Sequence, residues 1–309
     1  MAFYSPDPAM GQTLGDLVRA LELDGRPGLA ERLSITWLRF EQSQIARADQ
    51  LEASSYWALP GSGASWHGSV QRYPASVVKL VYLVAAEAWL QRDRIADDPE
   101  LRRALAAMVQ HSSNNATEHV VDRLSGTTGG PVLDPAAMAH WSEQRQLVNR
   151  WLASLGWPEL EGCNACQKTW DDGPYGRERA FYGADNANIN RLSSDAVARL
   201  LQAVMASALV SPPACGRMRQ LLARSLDTAV RRADPENQVD GFLGAALPEG
   251  SRLWSKAGWM SRARHDAAYI EAEGYQPTLL VVMGEGPLCA RDETLLPEIG
   301  AALLQASRL

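Results

Sequence analysis

The sequence predicts an α+β fold: a five-stranded antiparallel sheet drawn from both chain ends, flanked by helices, with an all-helical lobe inserted between them. Three observations predict it. Strand-like runs of β-branched and aromatic residues occur near the N-terminus. Similar runs return after residue 250, and most of the chain between follows helical spacing. For the terminal strands to pair, the two ends must meet in one sheet. With 309 residues, 46% of them hydrophobic, the chain can build a sizeable core. It reads as a single unit over 1–309. Residues 1–70 and 245–309 form the sheet lobe, and 71–244 form the helical lobe, with an irregular insertion at 125–190.

The elements follow in order. Leu14, Leu17, Val18 and Leu21 mark a first helix over 13–23, stopped by Asp24-Gly25-Arg26-Pro27-Gly28. Ser34–Glu41 reads as a strand, and a second strand is expected at Ser55–Leu59. Pro60-Gly61-Ser62-Gly63 reads as a turn, because it lacks the Lys-Ser/Thr that a phosphate loop requires. A helix from Ser76 to about Gln91 is apolar on nearly every face, which predicts burial. Pro99 opens another helix, with Leu101, Leu105 and Met108 on one side. Helical spacing resumes at 136–155, but 156–190 has no sustained period. Ser193 or Ser194 suits an N-cap for a helix to about Ala208, and Pro212–Leu226 suits another. Arg252–Trp259 and Asp266–Ala272 read as paired strands. Thr278–Gly284 reads as a central strand covered on both faces, and 295–304 as a closing amphipathic helix.

Composition narrows the function. The net charge is −6 and no basic stripe occurs, which argues against nucleic acid and anionic membranes as partners. No apolar run is long enough to span a bilayer. The first residues lack a basic and then apolar leader, so the chain as written reads as cytoplasmic; it would be periplasmic or secreted if a signal had been removed. Among 30 Lys+Arg, only Lys79, Lys168 and Lys256 are lysine. A lysine can lose its proton in a protein and an arginine cannot, so lysine is expected where that matters.

Two of these lysines sit in motifs. Ser76 and Lys79 form Ser-x-x-Lys at a helix entrance, one turn apart on one face. A buried Lys79 can serve as the base that a serine nucleophile needs. Ser112-Ser113-Asn114 is a Ser-x-Asn at a helix junction, and Lys256-Ala257-Gly258 is a strand-borne Lys-x-Gly. Ser112 can relay a proton to a leaving nitrogen. Asn114 can hold Lys79 and a substrate amide. Lys256 can stabilise a substrate carboxylate and the deprotonated relay. The plain alternatives are a helix cap for Ser76 and Ser112, and exposed lysines at 79 and 256.

In this order the three motifs resemble the serine β-lactamase and penicillin-binding protein family, and most closely its class A β-lactamase-like branch. Ser112–Thr117 is similar to that branch's Ser-Asp-Asn-x-Ala-x, and Lys256–Trp259 with His265–Ile270 to its strand-turn-strand. The resemblance implies a β-lactamase/transpeptidase-like fold and a serine hydrolase that forms an acyl-Ser76 intermediate on an amide, lactam or ester. It implies a small-molecule or peptide acyl substrate, no cofactor and no metal. The oxyanion donors it implies are the backbone N–H groups of Ser76 and Trp259, with Gly258 and Asn114 at the substrate. Slow-releasing penicillin-binding or peptidase-like chemistry, an intracellular esterase or amidase, and a binding module on the same fold are the other readings.

The sequence departs from the branch in places. Ser76 and Ser112 lie close together, and the stretch from Asn114 to Lys256 is long. The Glu-x-x-Leu-Asn of the deacylating glutamate is absent. Glu178 lies at about the right distance, but it equally suits an ion pair with Arg177 or Arg179. Ala257 replaces a hydroxyl residue, and Trp259 is bulky beside the expected oxyanion donor, so the substrate should differ from an ordinary penicillin. Arg262 or Arg264 could supply an anion contact, or be solvated hairpin arginines. Cys163-Asn164-Ala165-Cys166 reads as loop cysteines able to form a local disulfide rather than a zinc site.

Overall fold

The computed structural model describes residues 2–48, 53–58 and 60–309. Its sheet has seven strands: β1 (Tyr4–Pro6), β2 (Leu33–Arg39), β3 (Gly61–Trp66), β4 (Ala223–Arg224), β5 (Arg252–Met260), β6 (Ala263–Glu271) and β7 (Thr278–Glu285). They run in the order β1-β3-β2-β7-β6-β5-β4. The two chain ends join where β2 lies antiparallel to β7, from Leu33 opposite Gly284 to Arg39 opposite Thr278. The α+β architecture is therefore as expected, with seven strands rather than five. The two additions, β1 and β4, are too short to carry a period. β1 pairs with β3 in parallel, so the sheet is not wholly antiparallel.

The expected strand at 55–59 is corrected. Ser55 and Tyr56 belong to a short helix, Ala53–Tyr56, and Leu59 lies outside the described residues. The strand is instead Gly61–Trp66, on the residues read as a turn. Its glycines answer to close packing. A Cβ on Gly61 would stand 2.6 Å from the Phe40 ring and 2.7 Å from the Arg39 carbonyl oxygen. Glycine in a strand can mark such an approach as well as a turn.

Both faces of the sheet are covered. Leu279, Val281 and Met283 of β7 pack toward the helices of the middle segment. Leu280 and Val282 pack the other way, against Met10, Leu14 and Val18 of the Pro8–Leu23 helix and Leu295, Ile299 and Leu303 of the Leu295–Gln305 helix. A strand buried on both sides reads as a continuous apolar run. Two helices centre the middle segment. In Val78–Leu90 every residue from Val78 to Trp89 is buried, which explains its lack of a polar face. Ser194–Met205 starts at Ser193, whose hydroxyl accepts from the Ala196 N–H at 3.2 Å. The irregular stretch also contains a helix that its period did not reveal, Gly176–Tyr182.

Candidate active site

Ser76 sits in a single 3₁₀ turn, Ala75–Val77, leading into the Val78–Leu90 helix. Ala75 holds a left-handed φ of 46°, a strained conformation for a residue with a side chain. Neighbouring strands hold the turn from below. On β6, His265 Nδ1 accepts from the Gly284 N–H at 3.0 Å, so its Nε2 carries the proton and donates to the Tyr73 carbonyl at 2.8 Å. Burial pushes the His265 pKa down to about 4, so it serves as a neutral brace. β5 presses close on the other side. A Cβ on Gly258 would stand 2.9 Å from both the Ser76 and Val77 nitrogens. The glycine of Lys-x-Gly thus lets a strand backbone reach the turn bearing Ser76.

Ser112 stands between two buried lysines. Lys79 reaches it from the helix, with Nζ 3.2 Å from Ser112 Oγ and 2.9 Å from Asn114 Oδ1, and a further bond to the Ser112 carbonyl. Lys256 reaches it from β5, with Nζ 3.0 Å from the same Oγ, 2.7 Å from the Ala257 carbonyl, and a further bond to Gln238 Oε1. Ser112 itself is held at φ 53°. Burial lowers the Lys79 pKa to about 7, and the Asp171 carboxylate opposes that shift. Burial, the nearby Lys79 and Arg224 hold Lys256 well below the ordinary lysine value, against Asp266.

Above these lysines lies a cavity of about 500 Å³ lined by Ser76, Ser112, Asn114, Gly258 and Trp259 among others. The structure thus brings together seven of the residues singled out in the sequence, five on the wall and two lysines bonded to Ser112. The eighth, Glu178, is elsewhere. It does not line this cavity. Its buried carboxylate meets Arg145 at 2.5 Å and Lys168 at 3.3 Å, not the adjacent Arg177 or Arg179. Arg145 reaches it from the Pro135–Arg145 helix, a contact between distant segments that local spacing could not reveal.

Two residues that the sequence did not single out stand at the site. Asp171 lines the cavity and accepts from Asn114 Nδ2 at 2.6 Å. Its one sequence signal is an acidic pair, Asp171-Asp172, ahead of Gly173-Pro174 in the irregular stretch. Gln238 accepts from both Lys256 Nζ and the Ala257 N–H; nothing in its sequence context marks it. Arg264 is not a solvated hairpin arginine. It is buried, donates to the Ala290 and Gly241 carbonyls, and faces Glu293 at 3.5 Å. Arg262 borders a neighbouring cavity with Tyr73, Trp170 and Asp171.

Cys163 and Cys166 are free thiols with separate partners, Gln71 and Asn164. Among the described residues no group of three or more His, Cys, Asp or Glu could hold a metal ion, and no helix is long and apolar enough to cross a membrane.

A sheet with a helical lobe, and a serine turn abutting a lysine-bridged second serine, defines the serine acyl-enzyme class. The comparisons agree. The model of the beta-lactamase enzyme family matches residues 88–307, and the chain belongs to that family, a family of serine hydrolases. The matched span contains Ser112, Asn114 and Lys256 and begins after Ser76 and Lys79. Among solved structures, the chain is similar to PBP-A at 16% identity, covering 98% of this chain and 97% of that one, with a TM-score of 0.63. A PBP-A mutant solved as an acyl-enzyme complex with penicillin G matches at 16% identity, covering 99% and 98%, with a TM-score of 0.64. A beta-lactamase from Sphaerobacter thermophilus matches at 18% identity, covering 96% and 97%, with a TM-score of 0.63. At these identities the likeness shows the fold. No curated protein matches the chain.

Proposed function

We propose that the protein hydrolyses an amide, lactam or ester through an acyl-Ser76 intermediate. The observation that carries the reading is the Lys79–Ser112–Lys256 bridge beneath the cavity that Ser76 and Ser112 line together. With a pKa near 7, Lys79 has a large neutral fraction at physiological pH and can take the Ser76 proton. The N–H groups of Ser76 and Trp259 receive the oxyanion. Ser112 passes a proton to the leaving atom, and Lys256 steadies the deprotonated Ser112. Asp171 then orients the water that releases the acyl group, a role supported by its place in the cavity wall and its bond to Asn114.

One observation favours a second reading, in which the acyl-enzyme persists as in the penicillin-bound PBP-A mutant. Glu178 is locked against Arg145 and Lys168, and the carboxylate beside Asn114 is an aspartate. Incubation with a fluorophosphonate and with penicillin G, followed by peptide mass mapping, tests both. An adduct confined to the Ser76 peptide and lost in Ser76→Ala is expected. A folded protein with that peptide unmodified by either reagent would overturn the nucleophile. A penicillin adduct that survives for hours favours slow release.

A further inference from the structure

Resting on the reading of Ser76 as nucleophile, we propose that Trp259 selects substrates whose leaving group carries an aromatic ring, which stacks on its indole. Ser112, the proton donor to the leaving atom in that reading, sets the side of Ser76 where the leaving group lies: the cavity that both serines line. Trp259 lines that cavity too, one residue after the Gly258 that packs on the Ser76 turn. β4 pairs with β5 only at Leu253 and Trp254, so it stops short of this end of the strand.

The indole is both open and fixed. Tryptophan is highly buried on average, yet this one is 59% exposed. Its Nε1 donates to the Ala290 carbonyl at 2.9 Å, which ties the ring to the Pro287–Arg291 helix. The Arg264 guanidinium lies 5.9 Å from the ring centre, within reach of a cation–π contact. Arg264 is itself anchored: it is buried, lies 5.2 Å from the Phe242 ring, and donates to the Ala290 and Gly241 carbonyls. A ring held this way loses little freedom when a ligand settles on it. The other rings of the cavity serve less well. Phe242 is buried in the core with Leu243 and Leu253. His111 is exposed, but its imidazole has no hydrogen-bond partner to fix it among the described residues. A ring on Trp259 sets no condition on the charge of the leaving group.

The step is a plain acyl transfer. The Ser76 Oγ–carbonyl bond forms and the bond to the leaving atom breaks. The Ser76 proton departs on the leaving group by way of Lys79 and Ser112, and nothing is oxidised or reduced. Stacking acts on the ring alone and changes none of these bonds.

Two butyryl thioesters test it, releasing 2-phenylethanethiol or 2-cyclohexylethanethiol. They share the acyl group and the carbon skeleton of the thiol, and differ in whether the ring is flat. Thiol release gives kcat/KM for each. The phenyl-to-cyclohexyl ratio in the wild type should exceed that in Trp259→Leu by about two- to tenfold, the size of an aromatic pair's contribution beyond buried area. Dividing one ratio by the other cancels the intrinsic reactivity of the thiols and any general loss of activity. Trp259→Met, of similar reach but not flat, should behave as Trp259→Leu does, and Trp259→Phe should keep most of the wild-type ratio. All three variants retain the backbone N–H at 259. An unchanged ratio in Trp259→Leu and Trp259→Met overturns the proposal, as does a ratio that falls in His111→Ala instead. If neither thioester is cleaved and a fluorophosphonate leaves Ser76 unmodified, the nucleophile reading fails and this inference with it. Ser76 labelled by the fluorophosphonate while the phenyl thioester stays intact sinks the inference alone.

Discussion

Lys79 is where burial becomes chemistry. Its side chain is buried at the start of the Val78–Leu90 helix with the amine turned to Ser112 and Asn114, and desolvation favours the neutral form. The neutral amine is the base, so Ser76 acylation should rise with pH, reach half its limit near 7, and stay level above. Asp171 opposes the shift, so Asp171→Asn should move the half-maximum to lower pH. The same variant should accumulate acyl-enzyme. Time courses of adduct formation across pH check both, and a rate that falls as pH rises through this range would remove Lys79 from the role. Lys79→Ala should slow acylation by about 10²–10⁴-fold. Gly258 makes the steric counterpart. In Gly258→Ala the new methyl meets backbone nitrogens that cannot swing aside. Overpacking of this kind costs about 1–3 kcal/mol, measurable by urea unfolding, and adduct formation at Ser76 should drop with it.

At the scale of elements, the stretch from 163 to 172 brings Asp171 to the cavity without regular structure to do so. Side chains replace the ladder. Asn190 Oδ1 accepts from the Cys166 and Gln167 N–H groups at 3.1 and 2.9 Å, and its Nδ2 donates to the Gln167 carbonyl at 3.0 Å. Tyr82 ties the same carbonyl to the Val78–Leu90 helix at 2.5 Å. Lys168 then plugs into Asp122 at 2.9 Å and Glu178. Glu178→Gln would leave Arg145 and Lys168 under-compensated in the interior, at a cost of about 3 kcal/mol. Denaturant unfolding should show that loss while Ser76 is still acylated near the wild-type rate; a collapse of acylation with unchanged stability would return Glu178 to the chemistry.

The same stretch shows what sequence can and cannot reveal. Ser76, Lys79, Ser112 and Lys256 were legible because each lies on or beside a regular element, where local spacing sets direction. β7 was legible because burial on both faces leaves an unbroken apolar run. Asp171 and Gln238 were not, since each acts through a partner far along the chain. β3 was misplaced because its glycines serve packing against Phe40 and Tyr4 rather than a turn.

For the whole molecule, the question is how the sheet and the helical segment hold one cavity between them. Arg72 stands at the passage from one to the other. Its backbone exchanges hydrogen bonds with Leu192, each at 2.9 Å, pairing the chain that enters the Ser76 turn with the chain that enters the Ser194–Met205 helix. Its buried guanidinium donates to Ser34 Oγ of β2 at 2.7 Å, to the Glu31 carbonyl at 3.1 Å, and to Glu285 at the end of β7 at 2.7 Å. Both central strands are thus tied to a point four residues before Ser76. In Arg72→Met the alkyl stem is kept, but Ser34 and the Glu31 carbonyl lose their donor. Charge-assisted bonds of this kind contribute about 1.5–3 kcal/mol each, so stability should fall by at least about 2 kcal/mol in urea. Acylation should slow by about tenfold or more, because displacing a reacting group costs rate out of proportion to the distance moved. A parallel loss of stability and rate supports Arg72 as the link that carries sheet geometry into the turn. Loss of stability with an unchanged acylation rate would confine Arg72 to folding and leave the placement of Ser76 to His265 and Gly258.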